Sequence, residues 1–298
     1  MRSITIAIPY YSGFPYLQTA LKSAREQSIS DWQIIVVDNS ADRKIEDYVN
    51  SHGDARICYH KNARNLGMVG NFNRCLDLAP TDLMVILHAD DELDKDYCKL
   101  MCQAANDYPE AAAFFCGAHI IDEEGKSKFS FPDYVKKWLI PSTRDVVKIE
   151  GDAGASALMR GNFIMAPTLC FRKSKLKDRR FDENWKQVLD LDLTTRLLLE
   201  GEHLIGLPQC GYRYRRHGTN ATVQHTTNLL RFDEEVRIYD KLSVSYHDKG
   251  WVRAARVARA KNIIKLNLIY CFVRDVLTFQ MSSARSKLGF FYHRLLRS

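Results

Sequence analysis

The feature that most restricts this 298-residue chain is a strand-to-helix alternation through its first 120 residues. Short runs rich in β-branched residues at 4–8, 32–37, 57–60, 83–87 and 112–121 alternate with longer amphipathic stretches at 16–27, 44–51, 68–78 and 97–108. In the third of these stretches Met68, Phe72, Cys75 and Leu76 fall on one helical face. This pitch predicts right-handed βαβ units, hence an α/β fold with a mostly parallel central sheet flanked by helices. After Asp122 the rhythm fails. Residues 123–155 read as an insertion over the sheet edge, 168–172 and 212–216 as strands, 188–199 as a helix, and the chain from Asn228 onward as helical.

Charge is unevenly placed. The chain carries +7 overall, but residues 249–298 hold eleven Lys/Arg against the single acid Asp275, a local +10, so residues 1–248 sum to −3. Eight scattered cysteines form no C-x-x-C pair, and Cys98 and Cys102 have no partner spacing for zinc. Reduced thiols in a cytoplasmic protein are expected. The first strand begins within three residues, leaving no room for a signal peptide, and the apolar stretch 263–277 is broken by Lys265, Arg274 and Asp275.

In open α/β sheets ligands bind beyond the carboxyl ends of the strands. The first strand ends in Pro9-Tyr10-Tyr11, the second in Asp38-Asn39-Ser40 and the fourth in His88-Ala89-Asp90-Asp91, while the third leads into Arg64-Asn65-Leu66-Gly67. Two acidic ends, an aromatic pair and a basic loop would thus face one crevice. No G-x-x-x-x-G-K or G-x-G-x-x-G follows the first strand, which disfavours P-loop NTPases and Rossmann dehydrogenases. Without a glycine cradle, adjacent carboxylates can hold a divalent cation that phosphate oxygens also ligate, and hard carboxylates suit Mg²⁺ or Mn²⁺.

Over roughly residues 3–220 the chain resembles family 2 glycosyltransferases of the GT-A fold. The matching runs are Ile6-Ala-Ile-Pro-Tyr-Tyr, Ile35-Val-Val-Asp-Asn-Ser, Asn65-Leu-Gly-Met-Val-Gly-Asn, Leu87-His-Ala-Asp-Asp, Gly161-Asn-Phe-Ile, Asp190-Leu-Asp-Leu and Tyr214-Arg-Arg-His. The resemblance implies a GT-A catalytic domain over 1–225, its half 1–122 binding a nucleotide sugar and its half 123–225 facing the acceptor, with a basic amphipathic helical extension over 226–298. It places Pro9, Tyr10 and Tyr11 at the nucleoside pocket, Asp38 on the base, and Arg64, Asn65 and Gly67 at the nucleotide. His88, Asp90 and Asp91 would line the donor site, with Asp90 as metal ligand and His217 near the metal or diphosphate. Asp190 would be the general base of an inverting transfer, with Asn162 and Asp192 on the acceptor side.

The chemistry suits these residue types. The leaving diphosphate needs a counter-charge, and the attacking hydroxyl must lose a proton to one carboxylate. Asp190 and Asp192 are two residues apart and cannot share a helix face, so one is expected at substrate while the other caps or pairs, with Arg196 at i+4 as partner. His88 stands where many relatives have the first acid of D-x-D, and Leu189 where a Glu is common. The resemblance implies transfer of a single sugar from a nucleoside diphosphate, UDP in most relatives, to a glycan or lipid-linked acceptor in cell-surface polysaccharide synthesis. A second reading is a nucleotide-sugar- or membrane-binding module without catalysis. For 249–298, whose basic residues interleave with bulky apolar ones, two readings stand: a helix on an anionic membrane surface at the inner face of the cell membrane, or a cap packed on the catalytic domain. No nucleic-acid-binding pattern accompanies the charge.

Overall fold

Parallel pairing orders the first half of the sheet. A computed structural model describes residues 3–130, 134, 138–216 and 226–296. In it β1 (Ile4–Tyr10), β2 (Trp32–Asp38), β3 (Ile57–Lys61) and β4 (Leu83–Ile86) are separated by α1 (Phe14–Arg25), α2 (Lys44–Asn50) and α3 (Gly67–Leu78). Ile4, Ile6 and Ile8 point to one side of β1 and Ala7 to the other, each fully buried. Both faces of the sheet are therefore covered, as near-continuous apolar strands require. Leu17, Ala20, Leu21 and Ala24 supply the buried stripe of α1 at helical spacing.

The remaining elements are β5 (Glu92–Leu93), α4 (Tyr97–Asp107), β6 (Ala113–Ile121), β7 (Val147–Ile149), α5 (Gly151–Arg160), β8 (Cys170–Arg172), α6 (Lys173–Leu176), α7 (Leu189–Leu199) and β9 (Leu204–Arg215). The sheet order is β3-β2-β1-β4-β8-β6-β9-β5, with β7 also beside β9. Pair directions make β1, β2, β3, β4, β6 and β9 run one way and β5, β7 and β8 the other. The expected mostly parallel sheet flanked by helices is present. Cys98 and Cys102 are buried in α4 and packed in the core.

Two expectations change. The last strand runs from Leu204 rather than Tyr212, because Leu207, Pro208 and Gln209 bulge opposite Cys116. A proline inside a bulge loses no ladder hydrogen bond, so Pro208 does not break the strand there. The segment 123–155 does not merely cover an edge. Its Val147–Ile149 pairs with Leu204–Gly206 and joins the sheet, and α5 begins at Gly151.

The C-terminal part is helical as expected: α8 (Leu230–Asp248), α9 (Val252–Ala260), α10 (Asn262–Leu277) and α11 (Met281–Phe291). Phe232, Val236, Leu242, Tyr246, Ala254, Ala258, Ile264 and Leu268 join the same buried cluster as Val37, Phe171 and Leu193. The extension is thus a cap on one sheet face, the second of its two readings. Its outward face is a separate matter.

Register places the site. Tyr10 pairs with Asp38 and Asp38 with Lys61, one row at the carboxyl edge, while Ala7 pairs with Ile86 so that β4 ends at the same edge.

Candidate functional site

The row Tyr10–Asp38–Lys61 closes around a buried carboxylate. Asp38 accepts hydrogen bonds from the Ser40 N–H at 2.7 Å on Oδ1, and from the Tyr59 hydroxyl at 2.6 Å and Lys61 Nζ at 2.8 Å on Oδ2. Its side chain is fully buried. Burial pushes its pKa up, yet the bonds from Lys61, Tyr59 and Ser40 outweigh it and hold the carboxyl below the usual range. Asp38 thus has a different neighbourhood from the base contact expected of it, because in-register β3 delivers two donors to it. An open cleft of about 520 Å³ lies above this row, lined by Tyr10–Phe14 and Ser40–Asp42. Tyr11 stands exposed in it, and Pro9 is half-buried below.

A network of four asparagines holds the loop that carries Arg64. Asn39 donates to Asn65 Oδ1 at 2.8 Å and to the Gly67 carbonyl at 3.1 Å, and it accepts from Asn62 and from the Leu66 N–H, both at 3.0 Å. Asn62 also donates to Asn71 at 2.9 Å, and Asn71 to the Val37 carbonyl at 3.1 Å. Gly67, at φ 71°, makes the left-handed turn into α3, and its N–H donates to Asn65. Asn65 is therefore committed to shaping the loop, while Arg64 is exposed on its outer side.

Beyond β4 the chain turns through Leu87–Asp91 with three metal-competent side chains together. One donor atom from each of His88, Asp90 and Asp91 lies within 4.8 Å of the others. The turn leads into β5 and not into a helix, so these acids are no helix-dipole decoration. His88 stacks on Phe72 at 5.4 Å between ring centroids, and Phe72 meets Phe181 edge-on at 5.9 Å. Burial lowers the His88 pKa against the opposing pull of Asp90, which keeps the imidazole neutral and able to ligate. Asp91 is buried, its Oδ2 accepting from the Tyr212 hydroxyl at 3.0 Å and its Oδ1 from the Arg215 N–H at 2.7 Å. Burial and the Asp90 charge push its pKa well up. Arg215 is the buried hub below: it donates to the carbonyls of Asp90 and Asp122 at 2.7 Å and pairs with Glu92. Two carboxylates and one neutral imidazole with converging atoms fit a hard divalent cation.

The acceptor-side residues sit on α5's exit and α7. Asn162 Nδ2 donates to Asp190 Oδ2 at 2.9 Å, and Asn162 Oδ1 accepts from the Ile164 N–H at 3.2 Å. Asp192 differs from its acceptor-side expectation. It is buried and pairs with Arg196 Nε at 2.8 Å and Lys241 Nζ at 2.9 Å, so the i+4 partner satisfies one oxygen and α8 the other. Leu189 is core. His217 lies outside the described residues.

Sequence reasoning missed Tyr59, Lys61, Asn62, Asn71, Tyr212, Arg215 and Glu234. Asn71 closes the run from Asn65, and Arg215 lies within Tyr214-Arg-Arg-His, so both were visible as motif members without a role. Glu234 gave no signal. From α8 it accepts the backbone N–H groups of Lys186 at 3.0 Å and Gln187 at 2.8 Å, just ahead of α7.

Comparison with known proteins bears on the family and the fold. A GalNAc(5)-diNAcBac-PP-undecaprenol beta-1,3-glucosyltransferase of Campylobacter jejuni is 27% identical over 193 residues, 62% of this chain and 56% of that protein. The chain thus spans little more than half of that relative's length. An uncharacterized glycosyltransferase of Methanocaldococcus jannaschii is 24% identical over 79% of this chain and 75% of its own. Among solved structures, S. aureus TarS 1–349 in complex with UDP-GlcNAc superimposes with a TM-score of 0.62 at 12% identity, covering 97% of this chain and 91% of that one. That likeness is one of fold, and the fold is GT-A. Residues 5–160, just over half the chain, match the family Glycosyl transferase family 2, and the chain belongs to that family.

Proposed function

We propose that this protein is an inverting glycosyltransferase that moves a single sugar from a nucleoside diphosphate, UDP for preference, to a glycan or lipid-linked acceptor in polysaccharide or glycolipid synthesis. The observation that carries the reading is the cluster of His88, Asp90 and Asp91 beyond β4, at the same sheet edge as the cleft over β1 and β2. The solved relative in complex with UDP-GlcNAc and the relative named as an undecaprenol-linked glucosyltransferase support the donor and acceptor classes.

In this reading Tyr10 and Tyr11 flank the nucleoside, and Asp38 acts indirectly by fixing Lys61 and the Ser40 turn at the cleft. Arg64 reaches the nucleotide from a loop that the asparagine network holds still. His88, Asp90 and Asp91 hold Mg²⁺ or Mn²⁺, which when bound supplies a Lewis-acidic counter-charge to the leaving diphosphate. Arg215 orients that turn by gripping the Asp90 carbonyl. Asp190 takes the acceptor hydroxyl's proton as the oxygen attacks, and Asn162 fixes the orientation of its carboxylate. Direct attack needs no second, nucleophilic carboxylate, which agrees with Asp192 being sealed in ion pairs.

The test is UDP release from a panel of UDP-sugars with acceptor, with Mn²⁺ or with chelator. Asp190→Asn is expected to lower turnover by about 10²–10⁴-fold with donor affinity kept. Asp90→Ala is expected to weaken donor binding only when metal is present. Unchanged turnover in Asp190→Asn removes the base assignment, and UDP binding without any turnover of the wild type replaces the reading by a nucleotide-binding module.

A further inference from the structure

The outward face of α10 is apolar where the cap has no more core to cover. On α10 the inward side is already complete: Ile264, Leu268 and Cys271 are buried in the core cluster. A second stripe repeats the helical spacing on the other side. Leu266, Ile269, Tyr270, Val273 and Leu277 stand at i, i+3, i+4, i+7 and i+11 and are exposed, Leu277 at 72%. Phe279, in the turn to α11, is 87% exposed. An apolar stripe at helical spacing that faces away from the interior marks a contact surface.

The charge along the same stretch of chain has one sign. Asp275 is the single acid of residues 249–298, and its side chain is fully buried. Arg253, Arg256, Arg259, Arg274 and Arg285 are exposed, so every exposed charged side chain on the described part of this stretch is a cation. We infer that this face docks on an anionic lipid bilayer, with α10 lying in the interfacial plane and the arginines at the headgroups. The 16 residues of α10 reach about 24 Å, short of the roughly 30 Å hydrocarbon core. Among the described residues no helix is long and apolar enough to cross a membrane. A second copy is the poorer occupant, since a two-fold contact sets this cationic face against itself. Anionic headgroups cancel the same charge while the stripe leaves water.

This inference does not rest on the transferase reading, because docking requires neither nucleotide nor metal. The test is sedimentation of the full chain with vesicles of phosphatidylcholine, with and without phosphatidylglycerol. The wild type is expected to pellet with the anionic vesicles only. Raising salt from about 0.1 M to about 1 M, which shortens the Debye length from about 10 Å to about 3 Å, releases it. Leu277→Glu with Phe279→Glu, and separately Arg256→Glu with Arg259→Glu, are each expected to weaken partition about tenfold or more. All four positions are exposed, so circular dichroism and melting temperature stay at wild-type values. Equal binding to neutral vesicles, no binding by the wild type, or unchanged binding by both variants overturns the inference. So does a lipid-free dimer that Leu277→Glu with Phe279→Glu converts to monomer.

Discussion

At the scale of single residues, the site is held by amides and hydroxyls whose partners are distant in sequence. Asn62 is buried and donates to both Asn39 and Asn71. Removing its amide takes a donor from two acceptors at once, leaving Asn39 Oδ1 with the Leu66 N–H alone. Asn62→Ala is expected to cost about 1–3 kcal/mol in chemical denaturation and to raise the donor KM, since the Arg64 loop loses its anchor. Tyr212→Phe leaves Asp91 Oδ2 without its hydroxyl donor and the His88 N–H without its acceptor. A loss of about 1–3 kcal/mol is expected by the same measurement, with hydrogen exchange at His88 speeding up. The acids themselves were legible in the sequence, because they stand at strand ends. Their partners were not: Tyr212 reaches Asp91 across 121 residues and Arg215 across 124.

At the scale of elements, two devices fix helices in place. Gly67 starts α3 at φ 71° with open space around its missing Cβ, so Gly67→Ala is costly through backbone strain alone. About 1 kcal/mol is expected in thermal melts, and no clash should appear in a crystal structure of the variant. Asp275 of α10 ties down α11 by accepting from Lys287 and Ser283, beside its own neighbour Arg274. Burial alone would raise its pKa, but these hydrogen bonds bring it down from 3.8 to about 2. A folded pKa below the unfolded one gives stability that is complete above the unfolded value and is lost as pH falls through the folded value. The pair therefore contributes about 2 kcal/mol near neutrality that disappears between about pH 5 and about pH 2. Asp275→Asn removes that slope from a melting-temperature titration. It also leaves the Lys287 ammonium, 1% exposed, without its counter-charge, at an expected cost of about 3–5 kcal/mol near neutral pH. The helices were readable from periodicity, and the pairing of Asp275 with Lys287 was not, because it depends on the turn at Thr278–Gln280.

At the scale of the whole molecule, the extension and the catalytic half share one core. Phe232, Tyr246 and Ile264 pack in the cluster that contains Val37 and Phe171, and Glu234 and Lys241 of α8 bond to the segment that leads into and forms α7. A chain ending at residue 225 uncovers that face and is expected to be insoluble or to lose cooperative unfolding by circular dichroism, rather than to behave as an independent catalytic domain. Sequence alone determined the α/β layering, the strand ends that meet at one edge and the cationic character of the last 50 residues. Periodicity reports which side of each element is apolar, and order along the chain reports where strands stop. Tertiary structure alone decided which carboxylates are sealed by donors from other elements. Asp38 and Asp192 look as available as Asp90 and Asp190 in the sequence, yet each is closed by donors that include a lysine from β3 or α8. A carboxylate's role depends on which donors surround it, and those arrive from elements whose placement is fixed only when the sheet and its cap assemble.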